Sequence, residues 1–175
     1  TTETTMTLPA ARAEHSRFVQ RVRRRYAELL PLLAPGAPDA ASIAALIDAL
    51  TRRGQALPAA LRIARHLVIE RLAVIDIEDH APLAAVTSAM TFLAEVALEA
   101  ALAHAMQDTA LRHGLPRTAA GAPIEFWIVG MGKLGARELN VSSDIDLVYV
   151  YEDDGQTDGA DSTSAHEFFS KVARK

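Results

Sequence analysis

Two aspartates one residue apart, Asp144 and Asp146, have the residue type and spacing of a metal site in this 175-residue chain. The run from Asp144 to Tyr151 is rich in β-branched and aromatic residues, which predicts a strand. Side chains alternate along a strand, so both carboxylates are expected on one face. The apolar residues that follow each of them are expected to point towards a core: Ile145, Leu147 and Tyr149. Ionised groups among apolar neighbours are costly unless a cation neutralises them, and oxygen ligands suit Mg²⁺. The pattern therefore predicts a divalent metal at Asp144 and Asp146.

A glycine-rich segment precedes the aspartates and reads Gly130-Met131-Gly132-Lys133-Leu134-Gly135. Glycines let backbone N–H groups approach a phosphate closely, and Lys133 adds a positive charge. Two serines directly before Asp144 could donate hydrogen bonds to phosphate oxygens. The candidate phosphate-binding residues are therefore Gly130, Gly132, Lys133, Gly135, Ser142 and Ser143. A phosphate site beside a metal site suits transfer of a nucleotidyl group, where catalysis is mostly positioning and charge neutralisation.

The residues alone leave two other interpretations open. Gly130, Gly132 and Gly135 match the G-x-G-x-x-G fingerprint of dinucleotide-binding proteins, with Glu152 near the position of the ribose-binding acid. Against this, the segment between Gly135 and Asp144 is too short for the helical crossover that joins parallel strands. Alternatively, the aspartates could lie on the solvated face of an edge strand and bind nothing.

The elements that must position these residues fall into two regions. Before residue 120, apolar residues recur every three or four positions, which predicts helices. Four helices are predicted there. The first runs from about Ala11 to Leu30 and is ended by Pro31, and the second runs from the N-cap Asp39 to Gly54. The third begins near Pro58, and the fourth runs from about Pro82 to Arg112. After residue 120, strands are predicted at Ile124 to Val129 and Asp144 to Tyr151, with a short helix near Ala136 to Leu139 and a last helix opened by Ser164 and Glu167.

The predicted fold class is α+β, with a helical region over residues 1–120 and the start of a second domain over residues 121–175. Two strands do not complete a sheet domain, so we expect this second domain to be truncated.

Composition limits the function classes. Hydrophobic residues are 50% and charged residues 23% of the chain, which is typical of a globular protein. The absence of cysteine excludes disulfides and thiolate metal sites and agrees with a cytoplasmic location. A net charge of -4 argues against nucleic-acid binding. The basic cluster Arg21, Arg23, Arg24 and Arg25 fits a solvated helix face or, alternatively, a contact surface for an acidic partner. No signal peptide is recognised, and no transmembrane helix is expected because charges interrupt the apolar runs.

Residues 130–147, from Gly130 through Asn140-Val141-Ser142-Ser143-Asp144-Ile145-Asp146 to Leu147, closely resemble the signature of the bifunctional glutamine synthetase adenylyltransferase/adenylyl-removing enzyme family. That family belongs to the DNA polymerase β-like nucleotidyltransferase superfamily. The resemblance implies that residues 121–175 begin a nucleotidyltransferase palm with a mixed sheet. It also implies that Asp144 and Asp146 are the catalytic metal ligands. Gly132 and Lys133 stand where the wider superfamily has Gly-Ser.

Within this family, the resemblance is to the N-terminal half of the enzyme, which removes AMP from a modified tyrosine of glutamine synthetase. This half uses orthophosphate and releases ADP, whereas the C-terminal half attaches AMP from ATP, and together they regulate nitrogen assimilation. The implied cofactor is Mg²⁺, the implied partners are glutamine synthetase and the PII signalling protein, and glutamine is an effector. Neither nucleic acid nor a membrane is expected as a partner.

The family's third metal-binding carboxylate lies on a later strand than any found before Lys175, so we expect these 175 residues to be inactive alone. Two alternatives to the leading hypothesis remain at this stage. One is a nucleotidyltransferase with another acceptor, and the other is a noncatalytic helical fragment that docks a partner.

Overall fold

A computed structural model describes residues 12–175 as a mostly helical protein with two small antiparallel sheets, which is an α+β architecture. The helices are α1 Arg17–Arg25, α2 Ala40–Arg52, α3 Leu57–Ile77, α4 Leu83–His113, α5 Gly132–Gly135 and α6 Ala165–Ala173. The strands are β1 Pro116–Arg117, β2 Phe126–Gly130, β3 Leu147–Tyr151 and β4 Gln156–Thr157. Single 3₁₀ turns occupy Ala13–His15 and Leu30–Leu32.

The ends of α2, α3 and α4 follow the predicted signals. Asp39 caps α2 by accepting a 2.8 Å hydrogen bond from the Ser42 backbone N–H, and the Ser42 hydroxyl oxygen accepts one from the Asp39 N–H in return. Pro58 lies in the first turn of α3, where its missing N–H costs nothing. Gly54 and Gly114 follow α2 and α4 with φ angles of 85° and 74°, a conformation that glycine adopts without strain.

The first helix is shorter than predicted. Ala11 lies outside the described residues, and α1 begins after Ser16, whose hydroxyl accepts a hydrogen bond from the Val19 N–H. The α-helix ends at Arg25, so the predicted continuation to Leu30 is wrong, and Pro31 lies within a 3₁₀ turn. The apolar spacing predicted a longer helix because the residues after Arg25 still pack on the same core through this turn.

The helices α1 to α4 enclose the larger of two hydrophobic clusters. Its fully buried residues include Ile43, Leu46 and Leu50 of α2 and Leu67 and Leu72 of α3. A partly buried ion pair joins α1 to α3, since Arg23 Nε lies 2.7 Å from Glu70 Oε1.

A smaller cluster joins the end of α4 to α6. It contains Ala105, Ile124, Phe168 and Val172, together with Phe169, which stacks on Phe126 with ring centroids 4.7 Å apart. One continuous helix, α4, therefore contributes to both clusters, and the division near residue 120 stays a prediction.

Helix α4 is long and apolar enough to cross a membrane, judged by length and composition alone. Glu95 and Glu99 interrupt its apolar run, and the expectation that no segment crosses a membrane stays a prediction. Within the described chain, α4 packs against α2, α3 and α6, and Val86, Met90 and Leu93 are buried there.

Strands β2 and β3 pair antiparallel, from Phe126 opposite Tyr151 to Gly130 opposite Leu147. Both are shorter than predicted: β2 begins at Phe126 rather than Ile124, and β3 begins at Leu147 rather than Asp144. Antiparallel pairing is incompatible with the parallel strand–helix–strand unit of dinucleotide-binding proteins, so that alternative is excluded. Several apolar side chains of this sheet are exposed: Trp127, Val129, Val148, Tyr149 and Val150.

Candidate functional site

A polar pocket of about 260 Å³ lies where β2 leaves the sheet and β3 enters it. Five of the eight predicted site residues line it together with two others: Lys133, Ser142, Ser143, Asp144 and Asp146, with Met131 and Asn140. Segments that are up to 15 positions apart in the sequence therefore meet at one place. This arrangement combines two carboxylates, two hydroxyl groups and one ammonium group.

Pairing of the strand ends positions Asp146. Gly130 and Leu147 are the last paired residues of β2 and β3, and one step further the Met131 N–H donates a 2.9 Å hydrogen bond to the Asp146 carbonyl oxygen. The backbone of Asp146 is thus held against the start of the glycine-rich segment.

The aspartates precede β3 instead of lying within it, which corrects the sequence prediction. Strand alternation therefore does not determine where their side chains point, although both line the same pocket. Ile145, expected in a core, is 39% exposed, and Tyr149 is 42% exposed. Leu147 is half-buried and packs against the larger cluster, so only this residue follows the expected direction.

Exposure changes the electrostatic argument for a metal. Asp144 and Asp146 are both exposed, so water can solvate their carboxylates without a cation. The cost of burial, on which the sequence argument depended, is therefore absent. What remains is the chemistry of the donor set.

The oxygen donors of the pocket fit a magnesium ion that keeps much of its water shell. Mg²⁺ is usually held by one or two carboxylates, with water and substrate phosphate oxygens completing the octahedron. Among residues 12–175, no group of three or more histidine, cysteine, aspartate or glutamate side chains comes together. Asp144 and Asp146 thus provide two protein ligands within the described part of the chain.

A turn built by Asn140 shapes the wall next to the aspartates. The Asn140 side-chain oxygen accepts hydrogen bonds from the Ser142 N–H at 3.0 Å and the Ser142 hydroxyl at 3.1 Å. The Asn140 N–H in turn donates to the Ser143 hydroxyl oxygen at 3.3 Å. Sequence analysis did not single out Asn140, although asparagine is a common turn residue because its side chain can accept a hydrogen bond from the backbone two residues on.

These bonds distinguish the two serines. The Ser142 hydroxyl proton is already engaged with Asn140, so this residue serves the turn. The Ser143 oxygen accepts a bond and keeps its own proton to donate. Ser143 is therefore the better phosphate donor of the pair.

The glycine-rich segment is a short helix, α5, whereas the predicted helix at Ala136 to Leu139 is not helical. Gly132 opens α5 with a φ of 54°. A Cβ at Gly135 would lie 2.5 Å from the Gly130 carbonyl oxygen, so the chain folds back more closely than alanine permits. Gly130 and Gly135 line a different pocket, with Phe126 and Trp127, and do not border the polar one.

Three side chains anchor residues 134–139 to the helices. Leu134 and Leu139 are buried in the larger cluster. Arg137 lies 3.0 Å from Glu95 of α4, with its guanidinium over the Phe92 ring. These contacts fix Lys133 and Asn140 relative to α4, and sequence reasoning missed them because their partners lie about 40 residues away.

Comparison with known proteins decides the family. The family model described as glutamate-ammonia ligase adenylyltransferase matches residues 10–175. The chain belongs to this family. The resemblance expected from residues 130–147 is thereby confirmed.

Three relatives, each named bifunctional glutamine synthetase adenylyltransferase/adenylyl-removing enzyme, illustrate the similarity. The protein from Ralstonia nicotianae is 42% identical over 171 residues, covering 92% of this chain and 18% of the relative. The one from Bordetella pertussis is 49% identical over 116 residues, or 66% of this chain and 12% of the relative. The one from Aromatoleum aromaticum is 38% identical over 177 residues, or 96% of this chain and 19% of the relative. The chain therefore spans less than a fifth of the length of these adenylyltransferase family members.

Proposed function

We propose that residues 130–146 form part of a metal-dependent nucleotidyltransferase site that removes AMP from adenylylated glutamine synthetase. In this proposal the two strands and α5 begin a polymerase β-like palm. The site is the adenylyl-removing one, and a second site elsewhere in the full-length protein attaches AMP from ATP. The observation that carries the proposal is the polar pocket, which gathers Lys133, Ser143, Asp144 and Asp146 within a family of adenylyltransferases.

The reaction is phosphorolysis. An oxygen of orthophosphate attacks the phosphorus of AMP, the bond from phosphorus to the tyrosine oxygen breaks, and ADP leaves. The phenol takes up a proton. Charge accumulates on the phosphoryl oxygens during this exchange, so the residues that face them must be positive or donate hydrogen bonds.

Asp144 and Asp146 are the residues that would hold Mg²⁺. The bound ion would act as a Lewis acid that neutralises phosphate charge and orients the attacking and leaving oxygens. The two carboxylates border the pocket on the side where β3 begins.

Lys133 and Ser143 contact phosphate in this proposal. Lys133 provides a point charge at the position where the wider superfamily has serine, and Ser143 donates its free hydroxyl proton. Gly132 lets the backbone turn sharply into α5, while Gly135 permits its close approach to Gly130. Gly130 and Gly135 therefore shape the backbone and do not touch the ligand.

The remaining parts of the proposal concern ligands and partners. Mg²⁺ is the cofactor, orthophosphate and ADP are substrate and product here, and ATP serves the adenylylating site. Glutamine synthetase is the protein substrate, the PII protein is the regulatory partner, and neither nucleic acid nor a membrane takes part. The site of action is the cytoplasm, where nitrogen assimilation is regulated.

An assay of the full-length protein tests the function. With adenylylated glutamine synthetase, Mg²⁺ and labelled orthophosphate, the label should appear in ADP. Asp144→Asn and Asp146→Asn should each reduce turnover by roughly 10²-fold or more, because each removes a charged metal ligand. Asp154→Asn, which changes an exposed acid outside the pocket, is the matched control and should leave turnover within about twofold.

Unchanged turnover in Asp144→Asn would show that the pocket is not catalytic and would favour a docking role for this region. Transfer of AMP to or from another protein, but not glutamine synthetase, would move the activity to a different acceptor.

A further inference from the structure

Positive charge is concentrated on the first helices. Residues 12–71 contain eleven arginines and five acidic residues, whereas residues 72–175 contain seven basic and sixteen acidic residues. Among the exposed arginines that form no salt bridge within the described chain, four line the pockets that contain His66 or Asp144. These four are Arg21 and Arg25 on α1 and Arg62 and Arg65 on α3, and we call them the arginine face.

The imidazole of His66 connects the two pairs. Arg21, Arg25 and His66 line one small pocket between α1 and α3. Burial, and then the nearby charges of Arg65, Arg25 and Arg21, lower the pKa of His66 below its ordinary value. Three guanidinium groups thus lie near one imidazole, and a surface of uncompensated like charges attracts a negatively charged partner.

The arginine face borders an apolar pocket next to the polar one. This second pocket has a volume of about 430 Å³ and lies between α3, α4 and residues 139–145. Much of its wall is apolar and is formed by Met90, Leu93, Ala97 and Leu139. From α3, Arg62 and Arg65 line the same pocket. Ser143 and Asp144 line this pocket as well as the polar one. Cations, an apolar cavity and a candidate metal ligand therefore meet at Asp144.

We propose that the arginine face and the apolar pocket bind the acidic polypeptide segment that carries the nucleotidylated tyrosine of the protein substrate. This inference rests on the proposed function. In that reaction the phosphate that joins adenosine to tyrosine lies at Asp144 and Asp146. The adenosine and the tyrosine ring on either side of it therefore need separate binding surfaces. The apolar pocket receives the tyrosine ring, and the arginines contact carboxylates that flank this tyrosine in the substrate.

The surroundings of the arginines favour a polypeptide over other anionic macromolecules. A nucleic-acid backbone needs a continuous basic track, but the surface next to Arg62 and Arg65 is an apolar pocket. An acidic segment with one aromatic residue presents both the charge and the apolar ring that these adjoining surfaces accept. Arginines around an apolar pocket are also a frequent composition of protein interfaces.

Steady-state kinetics of the full-length protein test this inference. Arg65→Glu and Arg62→Glu should each raise the KM for adenylylated glutamine synthetase about tenfold and leave the KM for orthophosphate unchanged. Added salt should raise the KM of the unmodified enzyme but affect the variants much less, because salt screens the attraction that they lack. Arg174→Glu, which reverses an exposed, unpaired arginine after α6, is the control and should behave like the unmodified enzyme.

A second pair of variants tests the pocket. Ala101 lines the pocket from an exposed position on α4, so Ala101→Phe fills it without disturbing the core. This change should raise the KM for the protein substrate by roughly tenfold, whereas Ala103→Phe, an exposed control on the same helix, should not.

The outcomes separate this inference from the proposed function. If the unmodified enzyme is active and the three test variants, Arg65→Glu, Arg62→Glu and Ala101→Phe, keep its KM for glutamine synthetase within about twofold, the docking surface is wrong and the function stands. If the unmodified enzyme removes no AMP from glutamine synthetase, the function fails and the inference fails with it. Loss of binding to an oligonucleotide or to anionic vesicles in Arg65→Glu, with unchanged KM, would assign the arginine face to another macromolecule.

Discussion

Asn140 shapes one wall of the polar pocket through its hydrogen bonds. Its side chain and its backbone N–H hold Ser142 and Ser143 through three hydrogen bonds, and the next residue along is Asp144. The orientation of the carboxylates is thus coupled to one amide group that contributes no charge. Such a residue acts through its neighbours and not on the reacting atoms.

Replacement of Asn140 by alanine should reduce kcat/KM of the full-length enzyme by about tenfold, because the turn before Asp144 loses its side-chain acceptor. Thermal unfolding should change little, since Asn140 is only half-buried and lies in a turn outside the hydrophobic clusters. Asn140→Asp, which keeps an acceptor oxygen, should recover most of the activity. A fully active Asn140→Ala enzyme would show that the turn does not position the aspartates.

At the scale of elements, packing of α1 on α3 includes a titratable ring. His66 of α3 stacks on Tyr26 with ring centroids 5.7 Å apart and tilts against Phe18 at 6.0 Å. Its Nδ1 atom is buried and has no hydrogen-bond partner within residues 12–175. Burial, followed by the charges of Arg65, Arg25 and Arg21, lowers its pKa, so the native state favours the neutral ring.

This contact should make folding stability depend on pH. Because the pKa of His66 is lower in the folded chain, the unfolded chain binds the proton first as the pH falls below about 6.5. The stabilisation is therefore present at pH 7 and above and declines as the pH falls from about 6.5 towards the folded pKa.

His66→Phe keeps an aromatic ring on Tyr26 but cannot titrate. It should remove the part of the pH-dependent decline in the free energy of unfolding that His66 causes, as measured by urea unfolding between about pH 5 and 8. His66→Gln removes the same titration without the ring and should show the same loss of slope. Identical slopes in the unmodified protein and both variants would contradict a lowered pKa.

Sequence reasoning found elements whose signals are local and missed those set by distant contacts. Asp39, Pro58 and Gly114 mark helix ends within a residue or two of the prediction, because caps and breakers act on adjacent backbone groups. The start of β3 was misplaced because its partner β2 ends at Gly130, where the chain turns into α5, so residues 144–146 have no strand to pair with. The pairing of Arg137 with Glu95 could not be predicted, since no local pattern specifies it.

The candidate site itself followed from residue types. Lys133, Ser143, Asp144 and Asp146 were selected by charge and spacing, and all four line one pocket. Sequence analysis placed both aspartates on one face of an apolar strand and treated their charges as costly there, with a solvated face as the alternative. They are exposed, because a pattern of apolar neighbours cannot show which residues the chain covers.

At the scale of the whole molecule, α4 belongs to both hydrophobic clusters. Its first half carries Val86, Met90 and Leu93 into the larger cluster, and its last third carries Ala105 into the smaller one. The helices and the region around β2 and β3 thus share one structural member. Arg137 and Glu95 add a polar contact between α4 and the segment that bears Lys133.

Residues 1–175 are expected to show no phosphorolytic activity by themselves. Only Asp144 and Asp146 supply carboxylates to the pocket within the described chain, and the chain spans 18% of the Ralstonia relative. The measurement is ADP formation from adenylylated glutamine synthetase and orthophosphate, with the full-length protein as positive control and circular dichroism to verify folding. Turnover near that of the full-length protein would show that two carboxylates suffice.

Trp127 gives the chain an optical probe at a useful position. It is the chain's single tryptophan, it lies on β2 three residues before Gly130, and it is 45% exposed. Its indole ring therefore emits from a solvent-exposed position on the strand that leads into the glycine-rich segment. A blue shift of this emission on addition of another polypeptide would report, without any label, that the surface around β2 has become dry.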